Sequence, residues 1–116
     1  MPSRYGFESS EERNARLAKV IPTIESIVVD FAASQGRDWA SDFIGQNNIV
    51  RNWKVAGVLI QLQGRSGQYT RIFVTRHLDR GLHPDVERLC EVLSAHTGVP
   101  VMARYYLGGG WGEQDF

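Results

Sequence analysis

The stretch 53–77, WKVAGVLIQLQGRSGQYTRIFVTRH, decides the fold, because two runs rich in β-branched and aromatic residues flank a short turn signal. The runs are Trp53–Gln63 and Gln68–His77, and residues 64–67 join them. This arrangement predicts an antiparallel β-hairpin. A phosphate-binding Walker loop is excluded here, since the joining segment is too short and lies between strands, not before a helix.

The pairing register of this hairpin determines which residues share a face of the sheet. We predict that Leu62 pairs with Gln68, because pairing Gln63 with Gln68 would mix apolar and charged groups on both faces. In the predicted register one face gathers apolar residues, namely Ala56, Val58, Ile60, Ile72 and Val74. The opposite face interleaves aromatics with a guanidinium and consists of Trp53, Val55, Leu59, Gln61, Tyr69, Arg71, Phe73 and His77.

A long helix is predicted before the hairpin. Ser9 and Glu12 have capping-box spacing, and apolar residues then recur at steps of three and four up to Gly36, a suitable left-handed stop. Pro22 falls inside this pattern and predicts a kink or two abutting helices, because proline removes a backbone donor. Residues 37–50 have a weaker pattern, which we interpret as a short helix followed by a loop.

A second helix follows the hairpin, from His83 and Pro84 to Gly98. Its predicted buried stripe is Val86, Leu89, Cys90 and Leu93. Residues 99–107 then predict a third strand, and a right-handed crossover would place it parallel to the second strand of the hairpin. Residues 108–116 are predicted to form a flexible, glycine-rich acidic tail.

Together these patterns predict an α+β fold in a single compact domain over residues 1–107. The element order is helix, strand, strand, helix, strand, with a small mixed sheet of three or four strands and two main helices on one face. A length of 116 residues suits one domain. There is no apolar run of about 18 residues and no signal peptide, so we expect no membrane association. With Cys90 alone, no internal disulfide can form, which favours a cytoplasmic protein.

Charge is distributed unevenly along the chain. The basic residues are 11 Arg and 2 Lys against 13 acidic residues, which gives a net charge of zero. Residues 49–80 carry 6 basic groups and 1 acidic group, a local +5, whereas residues 1–48 sum to −2 and residues 81–116 to −3. The hairpin is therefore a basic block between acidic flanks, able to meet phosphates or the acidic helices of the same or a twin subunit.

The aromatic and arginine face is the candidate binding surface, and the third strand could extend it. Its predicted binding residues are Trp53, Tyr69, Arg71, Phe73, Arg104 and Tyr106. Tyr, Trp and Arg are enriched at protein interfaces, so we expect a non-catalytic binding or assembly module that forms a homodimer or docks a protein partner. The same face could stack the bases of single-stranded nucleic acid. In a third interpretation, the first helix or the Trp39 segment covers it.

An enzyme is the rival hypothesis, although the sequence leans against one and predicts neither catalytic residues nor a required cofactor. His77, Asp79, His83 and Asp85 lie between the second strand and the following helix, where they could bind a divalent metal for hydrolysis. Alternatively, His83 and Asp85 simply cap that helix. Cys90 lies on an apolar stripe, so we interpret it as an inert buried thiol.

Overall fold

Two helices and six strands make up the part of the chain that the computed structural model describes, residues 9–46, 48–65 and 68–116. The helices are α1 (Ser10–Gln35) and α2 (Pro84–Thr97). The strands, in chain order, are β1 (Trp39–Gln46), β2 (Ile49–Val55), β3 (Val58–Arg65), β4 (Gln68–Arg80), β5 (Val101–Tyr106) and β6 (Trp111–Asp115). The α+β class matches the prediction.

All six strands form one sheet in the order β1-β2-β3-β4-β5-β6. The predicted three- or four-stranded sheet is therefore wrong in its size. Neighbours pair antiparallel except β4 and β5, which are parallel because α2 carries the chain from one end of the sheet to the other. The prediction that the strand after the second helix runs parallel to the second strand of the hairpin is confirmed.

One additional strand arises because the predicted strand Trp53–Gln63 is interrupted. Ala56 and Gly57 have φ values of 51° and 76°, and Val55 pairs with Val58 across them. Positive φ at both central residues is what a tight two-residue hairpin turn requires. Trp53 and Ile60, which were predicted to lie on one strand, are therefore paired across two neighbouring strands, β2 and β3.

The other two additional strands are at the sheet edges. The predicted short helix within residues 37–50 is wrong, since Trp39–Gln46 pairs antiparallel with β2. Asn48 lies in the turn between the two strands and has a φ of 64°, which asparagine tolerates. At the opposite edge, β6 occupies residues that were predicted to be a flexible tail. Phe116 holds this end in place, because its backbone exchanges hydrogen bonds with Val101 and its ring packs against the core.

Both helices begin and end at the predicted caps. The Ser9 hydroxyl accepts a hydrogen bond from the backbone N–H of Glu12, and Gly36 ends α1 with a φ of 62°. α1 is one continuous helix through Pro22, so of the two alternatives the one with two abutting helices is wrong. Pro22 is exposed, so water can solvate the backbone carbonyl that loses its partner there. Within the described residues no helix has both the length and the apolar character to cross a membrane.

The hydrophobic core lies between the helices and one face of the sheet, here called the helix-covered face. The predicted α2 stripe of Val86, Leu89, Cys90 and Leu93 is buried in it. α1 contributes Val20, Ile24, Val28 and Ala32, and the strands contribute Trp53, Val55, Val58, Ile60, Leu62, Ile72, Val74, Val101 and Ala103. Because both helices join this single cluster, the prediction that they pack on one face is confirmed.

Candidate functional site

The opposite side of the sheet, here called the open face, carries the alternate residues of the same strands. Strand register aligns two rows across all six strands. The first row is Asp42, Asn52, Gln61, Phe73, Met102 and Asp115. The second row is Ala40, Lys54, Leu59, Thr75, Arg104 and Glu113. Arg71 and Gln63 flank the first row, and the pair Tyr106 and Trp111 continues the second.

The centre of the open face is only half-buried. Leu59, Phe73 and Met102 all fall in this class, whereas Ile60 and Val74 on the helix-covered face are 0 % exposed. Within the described residues both helices lie on the other side, so α1 does not cover Arg71, Phe73 or Arg104. A broad surface with apolar groups at its middle is therefore presented by the sheet itself.

Phe73 lies at the middle of this surface between two arginines. The Arg71 guanidinium carbon is 5.6 Å from the ring centroid, and that of Arg104 is 5.8 Å away. Both distances are within the range of cation–π attraction, which orders the side chains. Arg104 also pairs with Glu113 on β6, with 3.7 Å between its Nε and the carboxylate Oε1. Both guanidinium groups therefore lie beside the Phe73 ring on the open face, where they can contact a partner.

An aromatic pair extends the open face at the β5–β6 hairpin. The rings of Tyr106 and Trp111 meet edge to face with centroids 5.7 Å apart, and they remain 37 % and 47 % exposed. The Tyr106 hydroxyl donates to the carbonyl oxygen of Gly108 at 2.7 Å, and the N–H of Leu107 donates to the carbonyl of Gly110 at 2.9 Å. These bonds fix an exposed aromatic pair of the kind that dominates protein interfaces.

The structure brings four of the six predicted binding residues together on the open face, namely Arg71, Phe73, Arg104 and Tyr106. The placement of Trp53 there is wrong: the turn at Ala56 and Gly57 returns it to the helix-covered face, where it is 0 % exposed. The predicted placement of Tyr69 on that face is also wrong. Thr70 is an extra residue between the pairs Gln63–Arg71 and Gly64–Tyr69, so the alternation reverses and Tyr69 packs against the core.

The predicted pair Leu62–Gln68 is also wrong, because Leu62 pairs with Ile72 and Arg65 with Gln68. The faces of the hairpin were nonetheless assigned correctly for Val58, Ile60, Ile72 and Val74. A shift of an even number of residues leaves each side chain on the same side of a strand. His77, also predicted for the aromatic and arginine face, has a side chain outside the described part of the chain.

Only two of the four residues of the predicted metal cluster, His83 and Asp85, have side chains that the structure describes. The side chains of His77 and Asp79 lie outside the described residues. His83 is the N-cap of α2, and its Nδ1 accepts a hydrogen bond from the backbone N–H of Asp85 at 3.1 Å. The Asp85 carboxylate in turn accepts from the Gln35 amide of α1 at 3.2 Å. Across the described residues, no three histidine, cysteine, aspartate or glutamate side chains are grouped for a metal ion.

Cys90 is buried at 0 % exposure on the helix-covered side. Burial, together with the smaller effect of the nearby carboxylates of Glu87 and Glu91, raises the pKa of its thiol to about 12. A thiol that stays protonated is a poor nucleophile. The geometry supports the interpretation of Cys90 as a core residue.

A groove of about 470 Å³ between α1 and α2 is the concave site that sequence reasoning did not find. Its floor is apolar and its rim is polar, with Ile27, Phe31, Leu89 and Val92 below and Asp30 and Arg88 among the residues above. The periodicity of each helix predicted an apolar stripe, but it carried no information on how far apart the two helices pack. The groove shares no residue with the open face.

Three described acidic side chains of the open face, Asp42, Glu113 and Asp115, were also missed. They lie on the two edge strands, which the sequence pattern assigned to a helix and a tail. The alternation of Trp111, Glu113 and Asp115 with small or polar residues is the one signal that favoured a strand there. Comparison of this chain with protein-family models, curated proteins and solved structures finds no match.

Proposed function

We propose that this chain is a non-catalytic assembly module and that its open face docks a second protein chain, namely another copy of itself. The observation that carries the proposal is the uncovered sheet face, which has Leu59, Phe73 and Met102 at its centre and charges of both signs around them. A cluster of partly exposed apolar residues rimmed by polar groups typically marks an interaction site. The sole cysteine, with no disulfide possible within the chain, supports a cytoplasmic module.

Charge favours a protein partner over nucleic acid. Among its described side chains the open face carries four cations, Lys54, Arg65, Arg71 and Arg104, and the three acids of its edge strands. Nucleic-acid affinity comes largely from neutralising phosphates, which a surface with nearly balanced charges does poorly. The Phe73 ring, which would have to stack a base, is contacted by two guanidinium groups instead. A chain with zero net charge is also prone to self-association.

The metal-dependent hydrolase is the weaker hypothesis. His83 and Asp85 bond to the start of α2 and to α1, as residues of a helix cap and a helix–helix contact do. Neither bond requires a metal. Mn²⁺ or Zn²⁺ that raised the melting temperature would favour the hydrolase over a purely structural role for this loop.

The proposal is tested by the mass of the protein in solution, measured by sedimentation equilibrium over a range of concentrations. We expect the mass to rise from 13.1 kDa towards twice that value. Leu59→Arg places a cation at the centre of the open face and should keep the protein monomeric. Val29→Arg is the matched control, since Val29 is an exposed aliphatic residue of α1, at 46 %, away from this face.

A mass of 13.1 kDa at every concentration up to about 100 µM would overturn the proposal. Equal loss of the dimer in Leu59→Arg and Val29→Arg would overturn the assignment to the open face. Circular dichroism of each variant verifies that the fold is retained.

A further inference from the structure

Some charges on the open face are already paired and others are not. Arg104 pairs with Glu113 within the chain. Arg71 and Asp115, by contrast, have no ion-pair partner among the described residues, and Arg71 is exposed. Two opposite charges on one surface, each lacking a partner within the chain, can be satisfied by a second copy of that surface.

The strand register excludes the simplest way of stacking two copies. A two-fold axis along the middle of the sheet, between β3 and β4, would place β5 of one copy over β2 of the other, and β6 over β1. Lys54 and Arg104 share the second row, while Asp42 and Asp115 share the first. That axis would therefore bring cation onto cation and carboxylate onto carboxylate, which costs several kcal/mol.

An axis displaced towards β5 removes these clashes. Asp115 is level with Met102 and Phe73, and Arg71 precedes Phe73 by two residues. Strand spacing and rise then separate Arg71 from Asp115 by about 12 Å, with the midpoint over β5. A two-fold axis that runs parallel to the sheets over this midpoint, at right angles to the line from Arg71 to Asp115 and so inclined to the strands, exchanges the two positions. The same axis leaves Phe73 close to its own counterpart. Facing sheets lie about 10 Å apart, a gap that an arginine and an aspartate side chain can bridge.

Resting on the proposed function, we infer that two copies dock face to face about a two-fold axis over β5, held in register by two reciprocal ion pairs between Arg71 and Asp115. Symmetry makes each contact occur twice. The apolar residues near the axis, Phe73 and Met102, supply the buried contact, while the ion pairs select this orientation over the central one.

Charge exchange tests the inference. Arg71→Asp and Asp115→Arg each place like charges opposite one another and should raise the dimer dissociation constant at least about tenfold. The double variant restores opposite charges and should return the constant to within about threefold of the wild-type value. An equimolar mixture of the two single variants should form a heterodimer, since both cross-pairs are then opposite in sign. Glu91→Arg, on the exposed side of α2, is the matched control and should change nothing.

The outcomes separate this inference from the function on which it rests. Suppose that the wild type is a dimer and that Leu59→Arg dissociates it, but that neither the double variant nor the mixture forms dimers. This result would overturn the Arg71–Asp115 register and leave the open face as the interface. A wild-type monomer would overturn both. Restoration in the double variant together with heterodimer formation would support both.

Discussion

The two faces of the sheet are built from the same strands, yet they have different physical roles. In β3, Val58, Ile60 and Leu62 are at most 2 % exposed, whereas Leu59 and Gln61, which alternate with them, are half-buried. Leu59 and Ile60 are adjacent aliphatic residues of the same size, so composition does not distinguish them. Only their parity along the strand assigns one to the core and the other to the surface.

The contrast implies that stability and binding can be altered separately. The helix-covered face excludes charge from its centre, while the open face carries cations, carboxylates and aromatic rings side by side. Substitutions on the first face should therefore affect the free energy of unfolding. Those on the second should affect association.

Truncation of the two neighbours in β3 gives the largest expected difference. Ile60→Ala should reduce the free energy of unfolding by about 2–5 kcal/mol, because it leaves a cavity under the helices. Leu59→Ala should reduce it by less than about 1 kcal/mol. Urea denaturation at a concentration where the protein is monomeric measures both. Equal losses would show that something covers the open face as fully as the helices cover the other.

Thiol reactivity compares the faces without altering the core. Cys90 should react with a thiol reagent more than about a hundredfold more slowly than a cysteine introduced by Gln61→Cys, because its modification requires local opening. Stopped-flow measurement in dilute protein resolves the two rates. Comparable rates would mean that α2 opens readily from the sheet.

The raised pKa of Cys90 also predicts how stability depends on pH. Burial, with Glu87 and Glu91, raises the pKa from 9.0 to about 12 in the folded chain, so above pH 9 only the unfolded chain releases the proton. Stability should therefore decline between pH 9 and 12. Cys90→Ala should remove this part of the decline, as seen in melting temperatures across that range.

Substitutions at the β6 edge of the sheet should lower the free energy of unfolding by an intermediate amount. A Cβ at Gly112 would overlap the Tyr105 ring, so Gly112→Ala must displace that ring and should lower the free energy of unfolding by about 1–3 kcal/mol. A Cβ at Gly109 meets nothing within 4 Å, and Gly109→Ala should be nearly neutral. Hydrogen exchange of the β6 amides reports where the loss occurs. If both variants behave alike, Tyr105 does not hold β6 in place.

The smallest effect is expected at the rim of the helix-covered face. Arg51 and Glu25 approach to 3.6 Å, but their side chains remain 32 % and 35 % exposed. Glu25→Gln should thus cost less than about 1 kcal/mol in thermal unfolding. Asp30→Asn, an exposed change on the same helix, provides the baseline. A loss as large as that of Ile60→Ala would contradict the view that apolar burial dominates this face.

Local signals predicted the helices well and the sheet incompletely. Caps at Ser9, Gly36, His83 and Gly98 are formed by residues adjacent in sequence, so the sequence states them directly. The turn at Ala56 was missed because alanine rarely adopts positive φ.

Edge strands and side-chain neighbours were harder to predict. Both edge strands are defined by pairing with β2 and β5, and local residue preferences carry little of that information. The sequence correctly placed those site residues whose inward or outward alternation along the strand was predicted correctly, namely Arg71, Phe73, Arg104 and Tyr106. It did not predict the negative charges of the open face, because the carboxylates lie on the two edge strands.

The parallel pairing of β4 with β5 also has a kinetic consequence. Strands β1 to β4 form a meander of local antiparallel hairpins, whereas β5 can join only after α2 has crossed the sheet. Hairpins close within about 1–10 µs, but contacts between distant segments carry a larger entropic barrier to formation. During synthesis the meander would therefore emerge before α2 is available to shield its apolar side. We expect pulse-labelled hydrogen exchange to show β3 amides protected before those of β5.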